Sequence, residues 1–336
     1  MTAPVIYGCA GTELLVDERR FFGDLKPLGF ILFARNCETP AQIRSLTDDF
    51  RQVSGQENPL ILIDQEGGRV ARLKPPHFRA APPARAFGEL AAVDKERARE
   101  AARLNARLIA AELGTLGINV DCLPVLDVPT SDGHDIIGDR AYCADPGLIA
   151  ELGRATADGL LAGGVLPVAK HIPGHGRAQS DSHLSLPVVD TSEAELSRID
   201  FAPFRALKDL PLAMTAHVVY SAIDSGAPAT TSATVIEKII RGDIGFDGLL
   251  MSDDVSMEAL DGPVGGRAGA ALDAGCDVVL HCNGDMGEMI DIAENLKPLT
   301  KDAERRTQNA FDALRPADDF DTTAGRDRLE HLLSQV

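Results

Sequence analysis

The sequence predicts an α/β protein with a single (β/α)8 barrel of the TIM type. Eight short apolar runs recur along the 336 residues, and helical patterns lie between them. Continuously apolar strands that alternate with helices indicate a parallel sheet covered on both faces. Charged residues follow six of the eight runs, at the strand ends where barrels of this type carry their active sites.

The predicted strands are the runs PVIYGCA, GFILFA, LILID, NVDCLPVLDV, LPVAKH, LAMTAHV, GLLMSDD and DVVLHC, in chain order. Between the second and third runs, residues 40 to 53 place Ile43, Leu46, Phe50 and Val53 on one face at helical spacing. We therefore expect a helix over residues 40 to 53 that packs this face against the sheet.

A longer helix is predicted from Asp94 to Leu113, between the third and fourth runs. Its inward face would carry Ala101, Leu104 and Leu108. Gly114 follows directly, and glycine is the usual residue just past the end of a helix. We expect the helix to end there.

Two stretches depart from the strand and helix pattern. The segment LKPPHFRAAPPARAF, residues 73 to 87, predicts a long irregular loop, because proline donates no hydrogen bond to a helix or sheet. Residues 299 to 336 are highly charged, and LEHLLSQV predicts a terminal amphipathic helix. We expect one domain over residues 1 to 336, with 299 to 336 as a charged helical tail.

Composition excludes several classes of partner. Lys and Arg number 33 against 51 Asp and Glu, so the net charge is −18 and repels nucleic acid and anionic membranes. No stretch approaches the roughly 18 apolar residues of a membrane span, and the N-terminus lacks the basic start of a signal peptide. We expect a cytoplasmic protein that contacts neither nucleic acid nor membrane, and nothing demands more than a monomer.

The six cysteines are scattered, and no two of them form a CxxC pair. Several of them lie inside apolar runs, which favours buried free thiols over disulfides or a metal site. The residues are Cys9, Cys37, Cys122, Cys143, Cys276 and Cys282.

Ionisable side chains stand at the C-terminal ends of the third to eighth predicted strands. One such residue would only mark where a strand reaches solvent, but several together favour a binding pocket at one end of the barrel. They are, in strand order, Asp64, Asp127, Lys170 with His171, His217, Asp253 and His281.

The segment AKHIPGHGRAQSDSH, residues 169 to 183, combines three histidines with a lysine, an arginine and an aspartate. His171 and His175 are four residues apart, but Pro173 and the glycines exclude the helix that would present both to one metal. No helix follows GHG to supply the amides of a phosphate site. We predict neither a metal nor a cofactor here.

Acid and base chemistry fits this segment better. In Asp181-Ser182-His183, an extended backbone puts the first and third side chains on one side, so the carboxylate can orient the imidazole. From these three residues alone, an uncoupled surface pair fits equally well. The stretch GFDGLLMSDDVSM, residues 245 to 257, adds two carboxylates at the end of a buried strand. A carboxylate opposite a proton donor is the minimal apparatus of a retaining glycosidase.

The segments IDQEGGRVARL, LPVLDV, IIGDRAY, AKHIPGHGRAQSDSH, MTAHVVY and GLLMSDDVSM together resemble the β-N-acetylhexosaminidases of glycoside hydrolase family 3. The match runs in this order over roughly residues 5 to 295, and KHxPGHG, DSH and SDD in combination are highly specific. Two departures, the GDRAY context of the arginine and the loop sequence RAQS, remove no functional group.

The resemblance implies a role for several residues. Asp253 would be the nucleophile that forms a covalent glycosyl-enzyme, and His183, tuned by Asp181, would donate and accept the proton. His175 and His217 match positions that we assign to shaping the pocket, whereas Asp127 and His281 receive no role. The implied sugar-binding residues are Asp64, Arg72, Arg140, Lys170 and His171.

The implied substrate is a carbohydrate that ends in β-linked N-acetylglucosamine. Within the family, the natural source would be N-acetylglucosaminyl-anhydromuramic acid fragments, muropeptides included, released during peptidoglycan recycling. The choice of Asp253 over Asp254 rests on the resemblance, because adjacent strand residues point to opposite faces.

Three alternatives remain at this stage. A phosphorylase would resolve the intermediate with phosphate, since an imidazole tolerates an approaching anion better than a second carboxylate does. A two-domain β-glucosidase of the family needs a further C-terminal domain, and only some forty residues follow the eighth strand–helix unit, too few for one. A sugar-binding barrel without catalysis would retain the pocket alone.

Overall fold

The computed structural model describes residues 2–56, 58–130, 137–178 and 186–334. Eight parallel strands close a barrel in which each strand pairs with its neighbours in chain order and the eighth pairs with the first. They are β1 (Ala3–Tyr7), β2 (Pro27–Leu32), β3 (Leu60–Ile63), β4 (Val120–Asp121), β5 (Leu166–Ile172), β6 (Leu212–Thr215), β7 (Leu249–Asp254) and β8 (Val278–His281). Each predicted run contributes one strand, so the predicted (β/α)8 barrel is confirmed.

Helices surround the barrel and follow most strands. Those described as α-helices are α1 (Val16–Leu25), α2 (Pro40–Ser54), α3 (Ala84–Val93), α4 (Lys95–Thr115), α5 (Pro146–Ala162), α6 (Glu193–Arg198), α7 (Ala202–Ala206), α8 (Val264–Ala274), α9 (Met286–Asn295), α10 (Lys301–Ala313) and α11 (Thr322–Leu333). A helix of π type spans Val235–Asp243 between β6 and β7.

The predicted helix over residues 40 to 53 is α2. Its N-terminus has Pro40 in the first turn, and the Thr39 side chain accepts a hydrogen bond from the Gln42 backbone, as an N-cap does. Ile43 and Phe50 are fully buried, and Phe50 stacks on Phe30 of β2 with ring centroids 4.0 Å apart. This contact fixes α2 against the sheet.

Helix α4 differs from its prediction at the C-terminal end. The helix begins at Lys95, and Asp94 caps its first turn by accepting from the Arg97 backbone. The helix continues through Gly114 to Thr115, so the predicted end at Gly114 is wrong. The left-handed backbone that favours glycine occurs instead at Gly117, with φ of 76°.

The proline-rich stretch is irregular only as far as Pro83. Helix α3 begins at Ala84, so the predicted loop is wrong for residues 84 to 87. The prolines end there, and Phe87 and Leu90 are buried in the core, which stabilises the helix.

The C-terminal segment contains two helices, α10 and α11, and not one. α11 begins before the predicted LEHLLSQV and packs against α4 with Leu329 and Leu332 buried.

The barrel interior is filled with apolar side chains, and one end is closed. Ile6, Leu28, Leu60, Leu212 and Leu249 belong to one buried cluster that also includes Ala310 of α10. Helix α10 therefore covers the N-terminal end of the barrel, and the C-terminal end is left for a binding site. All six cysteines are free thiols, four of them buried. In the described part of the chain, no helix is long and apolar enough to span a bilayer.

Candidate active site

The C-terminal ends of the strands surround a cavity of about 250 Å³. It brings together Asp64, Arg72, Arg140, Lys170, His171 and Asp253, six of the residues that the sequence predicts for the site. The two others, Asp181 and His183, lie outside the described residues. His175 and Asp254 also line the cavity.

Lys170 lies among the charged side chains that line the cavity. It is on β5, its side chain is 2% exposed, and its Nζ lies 2.8 Å from Oδ1 of Asp64 and 2.6 Å from Oε1 of Glu66. Burial alone would lower the pKa of Lys170, but the charges of Asp64 and Glu66 outweigh burial and raise it. Lys170 is therefore a fixed cation that can donate to a sugar hydroxyl.

Asp64 is held between two cations. Its Oδ2 accepts from Nη2 of Arg72 at 2.9 Å, and the Arg72 guanidinium lies 4.9 Å from the ring centroid of Phe33. Burial would raise the pKa of Asp64, but Lys170 and Arg72 hold that pKa below its usual value. An ionised carboxylate here accepts hydrogen bonds only, which suits sugar hydroxyl donors.

Glu66 is a site residue that the sequence reasoning missed. Its side chain is 4% exposed, and its two oxygens accept from Nε and Nη2 of Arg140 at 2.9 and 2.8 Å. It thus joins Arg140 to Lys170. The sequence feature that could have identified Glu66 is its two-residue spacing from Asp64, because alternate residues of an extended chain face the same side.

A tight turn positions this part of the site. Residues Gln65–Gly67 pair with Val70–Ala71 in a short antiparallel hairpin just after β3. Gly67 and Gly68 both have positive φ, and a Cβ on Gly67 would overlap the carbonyl oxygen of Pro82. The glycines of DQEGGR therefore let the hairpin fold back under the proline-rich loop, which brings Arg72 to Asp64.

The end of β5 is braced from β4. Residues 124 to 126 pair with β5 through Val125 opposite Lys170, so Asp127 arrives beside His171. Oδ2 of Asp127 lies 2.7 Å from Nδ1 of His171. His175 follows on the same segment, and burial lowers its pKa to about 4. Asp127, which has no role in the sequence-based prediction, is thus in contact with a cavity residue.

The other strand-end histidines do not belong to the described cavity lining. Nε2 of His217 donates to the carbonyl oxygen of Asp254 at 2.9 Å, and its Nδ1 lies 2.7 Å from Oγ1 of Thr230. His217 therefore stabilises the end of β7 from a position outside the described cavity lining. His281 is fully buried and bonds to Glu288 through Nε2 at 2.8 Å.

The two adjacent carboxylates of β7 have different surroundings. Both oxygens of Asp254 accept hydrogen bonds, from the Ser256 backbone at 3.0 Å, the Ser256 hydroxyl at 2.8 Å and the Cys282 backbone at 3.2 Å. Asp253 accepts from the Asp254 backbone through Oδ1 at 2.8 Å. Asp254 thus links β7 to β8, and both carboxylates line the cavity.

Charges around the cavity balance in number, although the whole chain carries −18. The described lining holds four carboxylates and four permanent cations, so it favours a neutral ligand with many hydroxyl groups over a strongly charged one. The carboxylates are Asp64, Glu66, Asp253 and Asp254, and the cations are Arg69, Arg72, Arg140 and Lys170.

Comparisons with known proteins identify the family of the chain. The family model described as the glycosyl hydrolase family 3 N terminal domain matches residues 19–312. A beta-hexosaminidase of Bordetella avium (strain 197N) is 39% identical over 335 residues, which cover 98% of this chain and 93% of the relative. A beta-hexosaminidase of Thiobacillus denitrificans is 40% identical and covers 83% of this chain and 78% of its own length.

Solved structures give the same result. NagZ from Neisseria gonorrhoeae, crystallised in complex with N-trifluoroacetyl-D-glucosamine, superposes with a TM-score of 0.88 at 31% identity, covering 99% of this chain and 98% of that one. A family 3 beta-N-acetylglucosaminidase from Paenibacillus sp. str. FPU-7 has a TM-score of 0.87 at 31% identity. This match covers 98% of the chain but 66% of the Paenibacillus protein.

Proposed function

The chain belongs to glycosyl hydrolase family 3, and from that membership we propose that it is a retaining β-N-acetylhexosaminidase that removes terminal β-linked N-acetylglucosamine. The observation that carries the proposal is the cavity in which Asp253 faces the Asp64, Lys170, Glu66 and Arg140 cluster. A carboxylate at one side of a charge-balanced pocket can supply the nucleophile of glycoside cleavage, which also requires a proton donor.

The nature of the sugar follows from the relatives. Two beta-hexosaminidases match most of the chain, and the Neisseria NagZ structure holds a glucosamine acylated on nitrogen. Within the cavity, Lys170, Arg140 and Arg72 offer donors, and Asp64 offers acceptors, for the hydroxyls of one sugar ring. His171 completes this proposed binding set.

Asp253 is the proposed nucleophile. Asp254 accepts three hydrogen bonds through its two oxygens and thereby links β7 to β8, which supports a structural role for it. The contacts of Asp254 therefore favour Asp253 as the nucleophile, in agreement with the SDD resemblance. Its carboxylate attacks the anomeric carbon while the bond from that carbon to the leaving oxygen breaks.

The proposed proton donor is His183, oriented by Asp181. Both residues lie outside the described part of the chain, so this assignment rests on the DSH resemblance alone. His183 gives its proton to the leaving oxygen in the first step. In the second step it takes a proton from water, whose oxygen attacks the anomeric carbon and releases Asp253.

The wider setting is also a proposal. The resemblance supports a cytoplasmic enzyme of peptidoglycan recycling that acts on N-acetylglucosaminyl-anhydromuramic acid, with or without its peptide. We further propose a monomer with one domain over residues 1–336, and catalysis without metal or cofactor.

Release of a chromophore from an aryl N-acetyl-β-glucosaminide tests the proposal, with the matching aryl β-glucoside run beside it and a chelator in both. Release from the first substrate alone, unchanged by chelator, is the expected result. Inactivity on both would overturn the proposal. Repeating the reaction in phosphate buffer and searching for a sugar 1-phosphate separates hydrolysis from phosphorolysis.

A further inference from the structure

Asp127 is a fully buried carboxylate with no place in the proposed chemistry. It is 0% exposed, and it is absent from the described lining of the cavity. Burying a carboxylate is costly unless hydrogen bonds compensate for the lost water. The partners of Asp127 therefore indicate what the residue does.

Three hydrogen bonds join Asp127 to the C-terminal end of β5 and to the residues just after it. Oδ2 lies 2.7 Å from Nδ1 of His171, while Oδ1 accepts from the backbone of His175 at 2.6 Å and from the backbone of His171 at 3.3 Å. All three contacts reach the two cavity-lining histidines. One carboxylate thus fixes both the ring of His171 and the backbone that carries it.

The carboxylate also determines where the His171 ring carries its proton. Burial would raise the pKa of Asp127, but the contact with His171 and the other hydrogen bonds lower it to about 2, so the carboxylate is ionised and accepts hydrogen bonds only. Nδ1 of His171 must then be the protonated nitrogen. Nε2 is left for the ligand in the cavity.

We propose that Asp127 is a positioning residue that holds His171 as the Nδ1-protonated ring, with Nε2 presented to a hydroxyl of the bound sugar. This inference rests on the proposed function, in which His171 binds the sugar. A buried carboxylate that only satisfied backbone amides would not need the ring contact at 2.7 Å. The same logic holds for the aspartate of serine-protease triads, whose replacement by asparagine keeps the geometry but leaves the wrong tautomer.

Asp127→Asn separates the two roles. The asparagine carbonyl can still accept from both backbone amides, but its NH₂ group would donate to Nδ1 and move the ring proton to Nε2. We expect a folded protein with a lower melting temperature, because asparagine removes a carboxylate whose lowered pKa shows that its ionised form stabilises the fold. We also expect a kcat/KM lower by roughly 10- to 100-fold, on the scale of outer-shell orienting residues, with most of the loss in KM. In a His171→Ala background, Asp127→Asn should cost nothing further, because the two residues act together.

Asp121→Asn is the matched control. Asp121 is equally buried at 0% exposure, and burial raises its pKa well above the usual value, so asparagine resembles its neutral form. It accepts from the Gln65 backbone and touches neither histidine in the contacts described above. We expect wild-type kinetics from this variant. Kinetics of Asp127→Asn equal to those of Asp121→Asn would overturn the inference.

Nitrogen-15 spectra of histidine-labelled protein read the tautomer directly, with the His171 signal identified by its loss in His171→Gln. The wild-type protein should show protonated Nδ1, and Asp127→Asn protonated Nε2. Protonated Nε2 in the wild type would overturn the inference even if the variant failed to fold. Because this readout needs no turnover, it distinguishes failure of the Asp127 role from failure of the proposed activity.

Discussion

Nζ of Lys170 lies 2.6 Å from Oε1 of Glu66, and the two side chains are only 2% and 4% exposed. A buried ion pair contributes little net stability when complete, but removing one partner leaves an uncompensated charge. Glu66 holds two cations in place, since it also binds Arg140 through both oxygens. The proposed sugar-binding donors therefore depend on a carboxylate that need not touch the sugar.

Glu66→Gln should lower the free energy of unfolding by about 3 kcal/mol, because Lys170 and Arg140 lose a shared counter-charge in a buried site. KM for the aryl N-acetylglucosaminide should rise as both donors shift. Chemical denaturation and steady-state kinetics measure the two effects. Glu89→Gln, at an exposed position of α3, is the control and should stay within about 0.5 kcal/mol of wild type. Equal behaviour of the two variants would contradict the bracing role of Glu66.

The two carboxylates of β7 should respond differently to replacement by asparagine. Asp253→Asn should lose activity by roughly 10⁴-fold or more, the scale on which removal of a nucleophile acts in other enzymes. Asp254→Asn should lose much less, because its carbonyl can accept from both backbone amides and the Ser256 hydroxyl can reverse its role. A fluorinated substrate that traps the glycosyl-enzyme, followed by peptide mass analysis, identifies the labelled residue. Label on Asp254 would refute the assignment.

His183→Ala should separate substrates by leaving group. A proton donor matters most for a poor leaving group, so turnover should fall by roughly 10²- to 10⁴-fold there. An aryl glycoside with a very good leaving group should retain nearly its full rate in the glycosylation step, measured as a burst. His77→Ala, at an exposed site in the proline-rich loop, should be unaffected with either substrate. Equal losses for good and poor leaving groups would exclude His183 as the acid.

Sequence predicted the strands well because each is a continuous apolar run that only a doubly covered sheet can bury. It also placed Asp64, Lys170 and Asp253 at the same end of the barrel, since parallel strands share one direction. Asp127 stayed without a role because its partner His171 lies 44 residues away, and only the fold brings them together. Glu66 was missed because it lies past the end of β3, in a hairpin whose orientation depends on Gly67 and its contact with Pro82.

Gly88 of α3 should tolerate no side chain. A Cβ there would overlap the carbonyl oxygen of Tyr142, two residues after the cavity-lining Arg140. Gly88→Ala should therefore lower stability by about 1–3 kcal/mol, the usual cost of overpacking, and raise KM by displacing Arg140.

Gly266→Ala in α8 is the control, because its Cβ would find its nearest neighbour at 4.0 Å. That exposed helical site should gain about 0.5–1 kcal/mol. Thermal and chemical unfolding of both variants test the pair, and a stable Gly88→Ala protein would refute the close contact.

His175 should make the protein less stable as pH falls below neutrality. Burial lowers its pKa to about 4 from 6.5, so in the folded protein it stays neutral where the unfolded chain already binds a proton. Its contribution is complete above pH 6.5 and is lost progressively as pH falls from 6.5 to 4, by a total of about 3 kcal/mol. Unfolding free energies measured across this range should therefore decline less steeply in His175→Gln than in wild type.

His331→Gln, at an exposed site on α11, should keep the wild-type slope. The prediction concerns the slope and not the absolute stability, so it holds even if His175→Gln is less stable at every pH. Parallel curves for wild type and His175→Gln would show that His175 takes up its proton in the folded protein as readily as in the unfolded chain.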